Sequence, residues 1–261
     1  SSAWPVDYEL GREVLERASV AVVDGRIEAI GPAAEVRESW VGESTRVIDA
    51  SVSMLTPGLV NAHGHLSPVD GLRTGAEFYT RANLERQLRA YATYGVTTVF
   101  SLGDDQPDAF ALRDAQAAAP PGRARVFVAG PIVTATTADA ARADTDKVVA
   151  TKPDLLKIRV DDNLGTSKKM PEAAWRATLE RAKAAKLTLA AHIFYLSDAT
   201  ALAQAGNVFI AHSVRDLPVD QPFLTAMKAA NACYSPTLMR EVSTFIYDST
   251  QQDAVPLTRF I

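Results

Sequence analysis

The sequence predicts an α/β protein whose larger part is a TIM-type (β/α)8 barrel, preceded by a small β-rich segment. From Thr56 onward, apolar strand-like runs alternate with Ala-rich stretches of helical composition, and seven such units can be counted. Strict alternation of strands and helices is typical of a parallel sheet with crossover helices, and this many units favours a closed barrel over an open sheet. We therefore expect a β-rich domain over residues 1–56 and a barrel over residues 57–261, incomplete at its C-terminus because no eighth strand can be found.

The N-terminal domain is predicted from a hairpin signal. Two β-prone runs, 19–23 and 26–30, flank the dipeptide Asp24-Gly25, which favours the tight two-residue turn of a β-hairpin. The run Thr45–Ala50 predicts a third short strand.

The barrel elements are predicted where apolar or Ala-rich runs are bounded by turn residues. Pro171 stands where the first turn of a helix tolerates proline, and Gly206 stands where a helix commonly ends. The predicted strands are 59–62, 95–102, 125–133, 154–160, 187–192, 208–212 and 231–236, and the predicted helices are 83–94, 107–119, 171–186, 198–206 and 222–230.

Composition and charge exclude several classes of protein. The 261-residue chain carries 27 basic and 31 acidic side chains, a formal net charge of −4, without the clustered basic excess of a nucleic-acid-binding protein. No apolar run approaches the roughly 18 residues of a membrane-spanning helix. The single Cys233 excludes an internal disulfide framework and a cysteine-rich zinc site. The compartment stays open: cytoplasm, or periplasm and secretion where a signal segment has been removed.

All four histidines fall at or just beyond the end of a predicted strand. His63 and His65 are two residues apart and share one face of an extended segment, while His192 and His212 follow two later strands. The carboxyl ends of barrel strands surround the active site, and imidazole nitrogens close together are ready metal ligands. A lone histidine at a strand end is more often a hydrogen-bonded structural residue, but none is left here for that role. We therefore predict one shared metal site.

Lys157 lies on the fourth predicted strand, between the first histidine pair and the later two. An isolated lysine at a strand end commonly extends its ammonium group to solvent. Inside a barrel, however, the ammonium ion is costly and tends to lose its proton. A neutral amine can react with CO2 to give a carbamate, an anionic ligand able to bridge two metal ions, and we predict that role for Lys157.

Five short motifs occur in a fixed order along the chain. They are TPGLVNAHGH at 56–65, GVTTV at 95–99, LLKI at 155–158, AH at 191–192 and AHS at 211–213. Together they resemble the amidohydrolase superfamily of metal-dependent hydrolases, in its imidazolonepropionase-like and prolidase-like branch. The resemblance spans about residues 19–240. It implies the (β/α)8 barrel and also a small β-sandwich domain, to which the N-terminal strands would belong.

For individual residues, the resemblance implies a binuclear metal centre. His63 and His65 would bind the more buried ion, His192 and His212 would bind the second, and the carbamate of Lys157 would bridge them. We expect two divalent ions, zinc above other metals.

In the family, an Asp at the end of strand eight ligates metal and handles the proton of the attacking water. No such residue can be assigned in this sequence, because Asp248 and Asp253 lie in polar, helix-like stretches. A seven-stranded parallel barrel leaves two strand edges unpaired. We therefore expect the sequence to be a portion of the functional molecule, completed by a further segment or by a second polypeptide.

These inferences predict a hydrolase that cleaves an amide or peptide-type C–N bond by a metal-activated hydroxide. Its substrate would be a dipeptide, an N-acyl amino acid or a cyclic amide, and the enzyme would be a prolidase-like metallopeptidase in the first case. One alternative is a mononuclear deaminase or cyclic-amide hydrolase in which Lys157 is structural. Another, from a different class, is a catalytically inactive metal-binding or regulatory barrel, which the missing strand-eight Asp suggests.

Two residues are candidates for substrate binding. Arg159 shares a strand face with Lys157 and could pair with a substrate carboxylate, or instead form a salt bridge with Asp161 or Asp162. Tyr195 follows His192 by three residues and could donate to the scissile carbonyl. We expect a small-molecule substrate and a homo-oligomeric protein.

Overall fold

The computed structural model describes residues 15–116, 122–206 and 208–240. They divide into two compact units, one ending at Pro57 and the other beginning at Gly58. None of the helices within these ranges is long and apolar enough to cross a membrane.

The first unit contains an antiparallel hairpin and one helix. Strands β1 (Ala18–Val23) and β2 (Arg26–Pro32) pair around Asp24 and Gly25, whose φ angles of 50° and 76° are those that a tight hairpin turn requires. Helix α1 (Ala33–Trp40) follows directly and was not predicted.

The predicted third strand over Thr45–Ala50 is wrong, because this stretch has no regular secondary structure and is exposed. Its two large aliphatic residues, Val47 and Ile48, are left largely in solvent, and β-propensity without a partner strand does not form a sheet. Within the described residues this unit therefore holds one two-stranded sheet.

The second unit has an α/β fold. Its main strands are parallel and lie side by side in the order in which they occur in the sequence, as they do in a barrel. One sheet has the order β3-β6-β7 and the next has the order β8-β9-β10-β11, and a parallel bridge between Val133 and Ile158 connects them. A small hairpin, β4 with β5, and a 3-10 helix over Ala76–Phe78 follow the first barrel strand. The strands are β3 (Leu59–Gly64), β4 (Val69–Asp70), β5 (Arg73–Thr74), β6 (Val96–Ser101), β7 (Arg125–Val128), β8 (Leu156–Arg159), β9 (Leu189–His192), β10 (Val208–Ala211) and β11 (Cys233–Ser235).

Helices cover the outer face of these strands. They are α2 (Arg81–Thr93), α3 (Pro107–Ala115), α4 (Ala138–Ala150), α5 (Glu172–Ala184), α6 (Leu196–Ala205) and α7 (Gln221–Ala229). Each of the seven predicted barrel strands is present, with bounds somewhat different from those predicted. Helix α4 was not predicted. Pro171 is the residue before α5 rather than within its first turn, and Gly206 ends α6 with φ of 71°.

Along the central strands, successive side chains point alternately toward the helices and toward the interior enclosed by the strands. This alternation decides which side chains can belong to the site. Leu156 and Ile158 pack into the large cluster beneath the helices, whereas Ala190 and Ala211 belong to a separate small cluster with Leu102 and Ala129. Lys157 pairs in register with Ala190, and residues that alternate along a strand point to opposite faces. Lys157 therefore points toward the interior, away from the helices.

Among the described residues, the outer edges of β3 and β11 have no paired strand. Asp248 and Asp253, which the sequence left without a role, lie outside the described residues.

Candidate metal centre

The four imidazoles lie side by side at the carboxyl ends of their strands. Ring centroids are 5.4 Å apart for His63 and His65, 4.5 Å for His63 and His212, and 3.9 Å for His192 and His212. Residues separated by about half of the chain are thus brought together, because parallel strands in sequence order end at one rim.

The first histidine pair is held by an irregular end of β3. The register of β3 against β6 shifts between Asn61 and Gly64, and the backbone N–H of His63 donates to Asn61 Oδ1 at 3.1 Å. Gly64 is required between the two histidines, because a Cβ there would lie 2.7 Å from Val99 Cγ1. The close approach of the two strands leaves room for no other residue.

Lys157 lies at the centre of this arrangement and is 1% exposed. Burial lowers the pKa of its amine from 10.5 to about 7, because an ammonium ion loses its hydration inside the protein. Nζ is a buried atom with no hydrogen-bond partner in the described part of the chain. A substantial fraction of this amine is therefore neutral at neutral pH and carries a free lone pair.

The imidazoles are neutral for the same reason. Burial, followed by repulsion from Lys157 and from the other imidazoles, lowers the pKa of His63 to about 3. Burial likewise lowers the pKa of His65 and His212. Neutral imidazole is the form that ligates metal, so the site is rich in uncharged nitrogen donors.

The later two histidines are oriented by oxygen atoms. His192 Nε2 lies 3.6 Å from the carboxylate of Asp161, and His212 Nδ1 lies 3.0 Å from Thr237 Oγ1. These contacts leave Nδ1 of His192 and Nε2 of His212 as the nitrogens available to a ligand. His212 also has φ of 70°, a left-handed conformation that is uncommon for residues other than glycine.

The set of residues fits a metal centre in its chemistry. Two buried nitrogen atoms of the cluster, Nδ1 of His63 and Nζ of Lys157, have no hydrogen-bond partner within the described ranges, whereas buried polar atoms in proteins are generally hydrogen-bonded. As the rings stand, however, no group of three or more His, Cys, Asp or Glu side chains in those ranges could hold a metal ion. To bind a metal ion, the histidine rings would therefore have to rotate so that their nitrogen atoms face the same ion.

The two predicted substrate contacts lie at the edge of this cluster. Arg159 Nε is 3.9 Å from Asp161 Oδ1, which is the salt bridge expected as the alternative to substrate binding; the distance is too long for a hydrogen bond, and the Arg159 side chain is 39% exposed. The hydroxyl of Tyr195 donates to Asp162 Oδ1 at 2.9 Å, and the ammonium group of Lys169 lies over its ring. Tyr195 is thus already paired with a carboxylate.

Two polar side chains of this region were not among the predicted site residues. Asp161 was considered only as a salt-bridge partner of Arg159, although its spacing of four from Lys157 indicates a shared strand face. Its Oδ1 is buried without a hydrogen-bond partner among the described residues. Thr237 lies two residues after the end of β11, and no sequence pattern connects it with His212.

Comparison with known proteins identifies the family. The profile of the Amidohydrolase family matches residues 54–251, so the chain belongs to this family, as its motifs predicted. It is 38% identical over 90 residues to an adenine deaminase of Ruegeria sp. (strain TM1040), a stretch covering 34% of this chain and 13% of the deaminase.

Two solved structures show the same fold. Molinate hydrolase has a TM-score of 0.73 at 19% identity, covering 91% of this chain and 64% of that one. A Xaa-Pro dipeptidase with bound methionine has a TM-score of 0.62 at 19% identity, covering 77% and 57% respectively. The chain thus spans less than two thirds of each relative, and the family fold is the TIM-type (β/α)8 barrel.

Proposed function

We propose that this chain carries the metal-binding barrel of a hydrolase that cleaves an amide or peptide-type C–N bond. One observation carries the proposal: four uncharged imidazoles and one buried lysine, neutral in a substantial fraction, meet at the carboxyl ends of parallel strands. A purely structural role does not explain why nitrogen donors without partners are buried together there.

In this proposal His63 and His65 hold one divalent ion and His192 and His212 hold another, with zinc as the expected metal. When bound, the ions supply Lewis-acid activation of water and of the scissile carbonyl. Lys157 would supply an anionic oxygen ligand to both ions: its neutral amine would add to CO2, forming a C–N bond as one C=O π bond opens, and the proton lost from nitrogen would go to solvent, leaving the carbamate anion.

The protein's own groups prepare the site for this chemistry. Burial keeps the imidazoles deprotonated and a substantial fraction of the Lys157 amine neutral, so few protons have to be displaced before ligation. Asp161 stabilises one orientation of His192, and Thr237 does the same for His212. A carboxylate at the end of an eighth strand is the expected acid and base for the water proton, and its position lies outside the described residues.

The substrate class follows from Arg159. Its side chain is partly exposed, and its ion pair with Asp161 is loose, without a hydrogen bond, so the guanidinium group can donate two parallel hydrogen bonds to a substrate carboxylate. We therefore favour dipeptides and N-acyl amino acids. Arg159→Lys should raise KM for such substrates at least about tenfold with a smaller change in kcat; an unchanged KM contradicts this assignment.

Metal stoichiometry tests the proposal as a whole. Purified protein should bind two equivalents of zinc by elemental analysis, and Lys157→Ala should bind at most one. Lys168→Ala, at an exposed lysine of the neighbouring loop, is the matched control and should keep both. Two equivalents retained in Lys157→Ala, with full activity, would refute the bridging role.

A second candidate is a mononuclear deaminase, and the identity with an adenine deaminase over 90 residues favours it. It predicts one ion per chain and release of ammonia from adenine. The leading proposal predicts two ions and release of an amino acid from a dipeptide. Parallel assays of metal content, ammonia and free amino acid separate the two.

A further inference from the structure

A buried carboxylate near the first histidine pair has no role in the function proposed so far. Asp105 lies in the loop after β6 and is 3% exposed. Its Oδ1 accepts a hydrogen bond from the hydroxyl of Ser101, and its Oδ2 accepts the backbone N–H groups of Ala129 at 2.9 Å and Gly130 at 3.1 Å. One side chain therefore ties the carboxyl end of β6 to the loop that follows β7.

The end of β6 and the start of this loop contact the residues on both sides of His65. Ser101 Oγ accepts the backbone N–H of Leu66, the residue after His65, at 2.9 Å. The N–H of Leu102 donates to the carbonyl of Gly64, the residue before His65, also at 2.9 Å. The hydroxyl of Ser101 is thus the link between the Asp105 carboxylate and the backbone of the histidine pair.

The loop also contacts the His65 ring. The backbone of Gly103 lies close enough to that ring to raise its pKa against the lowering that burial causes, and Gly103 has φ of 117°. A Cβ at position 103 would lie 2.4 Å from Ile132 Cγ1 and 3.5 Å from Lys157 Cγ. The loop therefore runs closely packed between His65 and Lys157, and a shift of its backbone would move the ring.

We propose that Asp105 is the positioning residue for His65, acting through Ser101 and the Gly103 backbone. This inference rests on the proposed function, because it assigns Asp105 a role in holding a metal ligand. The three hydrogen bonds to its carboxylate fix the end of β6 and the loop, and these hold the backbone immediately before and after His65. The effect of losing the carboxylate should therefore appear in metal affinity as well as in stability.

The experiment measures Co(II) binding to the chelator-treated full chain, by visible absorption and by competition with a chelator of known affinity. The variants are Asp105→Ala, Asp105→Asn and Ser101→Ala. Loss of a group that orients a metal ligand typically weakens metal affinity about 10- to 100-fold. We expect that loss in Asp105→Ala and Ser101→Ala, together with an altered Co(II) spectrum. Asp105→Asn keeps an acceptor for both backbone N–H groups and should restore affinity to within about threefold of the wild type.

The matched control is Thr145→Ala, which removes a different buried polar group. Thr145 is fully buried between α4 and α5, donates to the carbonyl of Ala141 and lies 3.2 Å from the hydroxyl of Thr178. This variant should lose thermal stability but keep the wild-type Co(II) affinity and spectrum.

The outcomes separate this inference from the function on which it rests. If the wild type binds no Co(II), the proposed function fails and the role of Asp105 fails with it. If the wild type binds Co(II) and Asp105→Ala and Ser101→Ala bind it equally well with an unchanged spectrum, only the role of Asp105 is overturned. Ser101→Ala decides the matter alone if Asp105→Ala does not fold.

Discussion

Replacing Lys157 by methionine should make the metal-free protein more stable. The amine is buried and has no hydrogen-bond partner in the described residues. It is partly neutral at pH 7 because burial disfavours the ammonium ion. Methionine has a similar length and no charged group to dehydrate. Apolar replacement of a buried charged group is often neutral or stabilising, and Lys157 lacks even the partner that would offset its cost.

The size of the effect follows from the pKa of Lys157. Its displacement from 10.5 to about 7, at about 1.4 kcal/mol per unit, sets an upper bound of about 5 kcal/mol on the cost of burying the ammonium ion; about 4 kcal/mol of this applies at pH 7, where about half of the folded amine is already neutral. Between pH 7 and 10.5 the unfolded chain binds more protons than the folded chain at this group, so wild-type stability rises with pH in that window. The advantage of Lys157→Met should therefore shrink from about 1–4 kcal/mol at pH 7 to about 1 kcal/mol or less at pH 9.5.

The assay is urea unfolding followed by circular dichroism, in chelator and in buffer freed of CO2 so that no carbamate forms. Lys168→Met, at an exposed position, is the control and should change the free energy of unfolding by less than about 0.5 kcal/mol. A Lys157→Met protein that is less stable than the wild type at pH 7, or whose advantage does not depend on pH, would refute the reasoning.

Three further outcomes are expected. Asp161→Ala removes the carboxylate beside His192 and should weaken zinc affinity about 10- to 100-fold in chelator competition; unchanged affinity would remove Asp161 from the site. Burial raises the pKa of Asp105 to about 7. Between pH 4 and 7 the folded chain therefore binds more protons at this carboxyl group than the unfolded chain does, and the contribution of Asp105 to stability falls as the pH rises. The free energy of unfolding of metal-free wild type relative to Asp105→Asn should therefore fall by up to about 1.4 kcal/mol per pH unit in that range, and a flat difference contradicts it. Thr80 Oγ1 caps α2 by accepting the N–H of Asn83, so Thr80→Ala should lower stability by about 1 kcal/mol with the metal content unchanged; a loss of metal would show that α2 is coupled to the site.

The barrel strands and the histidine cluster were predictable because their signals are local. A central parallel strand is a short apolar run buried on both faces, and the position of a histidine at the end of such a run can be read directly. Helix α4 was missed because its buried face is formed by Ala141, Thr145 and Val148. Two of these residues are small or polar, so the apolar periodicity of this segment is weak.

The supporting side chains could not be predicted, because their partners lie far along the chain. Ser101 contacts a backbone group 35 residues away, and Asp105 contacts groups 24 and 25 residues away. Nothing adjacent to Asp105 in the sequence distinguishes it from Asp104, which is exposed. Asp105 rather than Asp104 points inward because the backbone N–H groups that it accepts lie in the loop after the neighbouring strand, β7.

The left-handed backbone at His212 restricts how this rim can be redesigned. Besides glycine, the residues that tolerate such a conformation best are Asn, Asp and His, and of these only Asp and His are common metal ligands. A Glu or Cys introduced at position 212 would have to overcome the backbone preference before it could reach an ion. Replacement of this nitrogen ligand by an oxygen ligand should therefore begin with His212→Asp, because Asp tolerates the φ angle at this position.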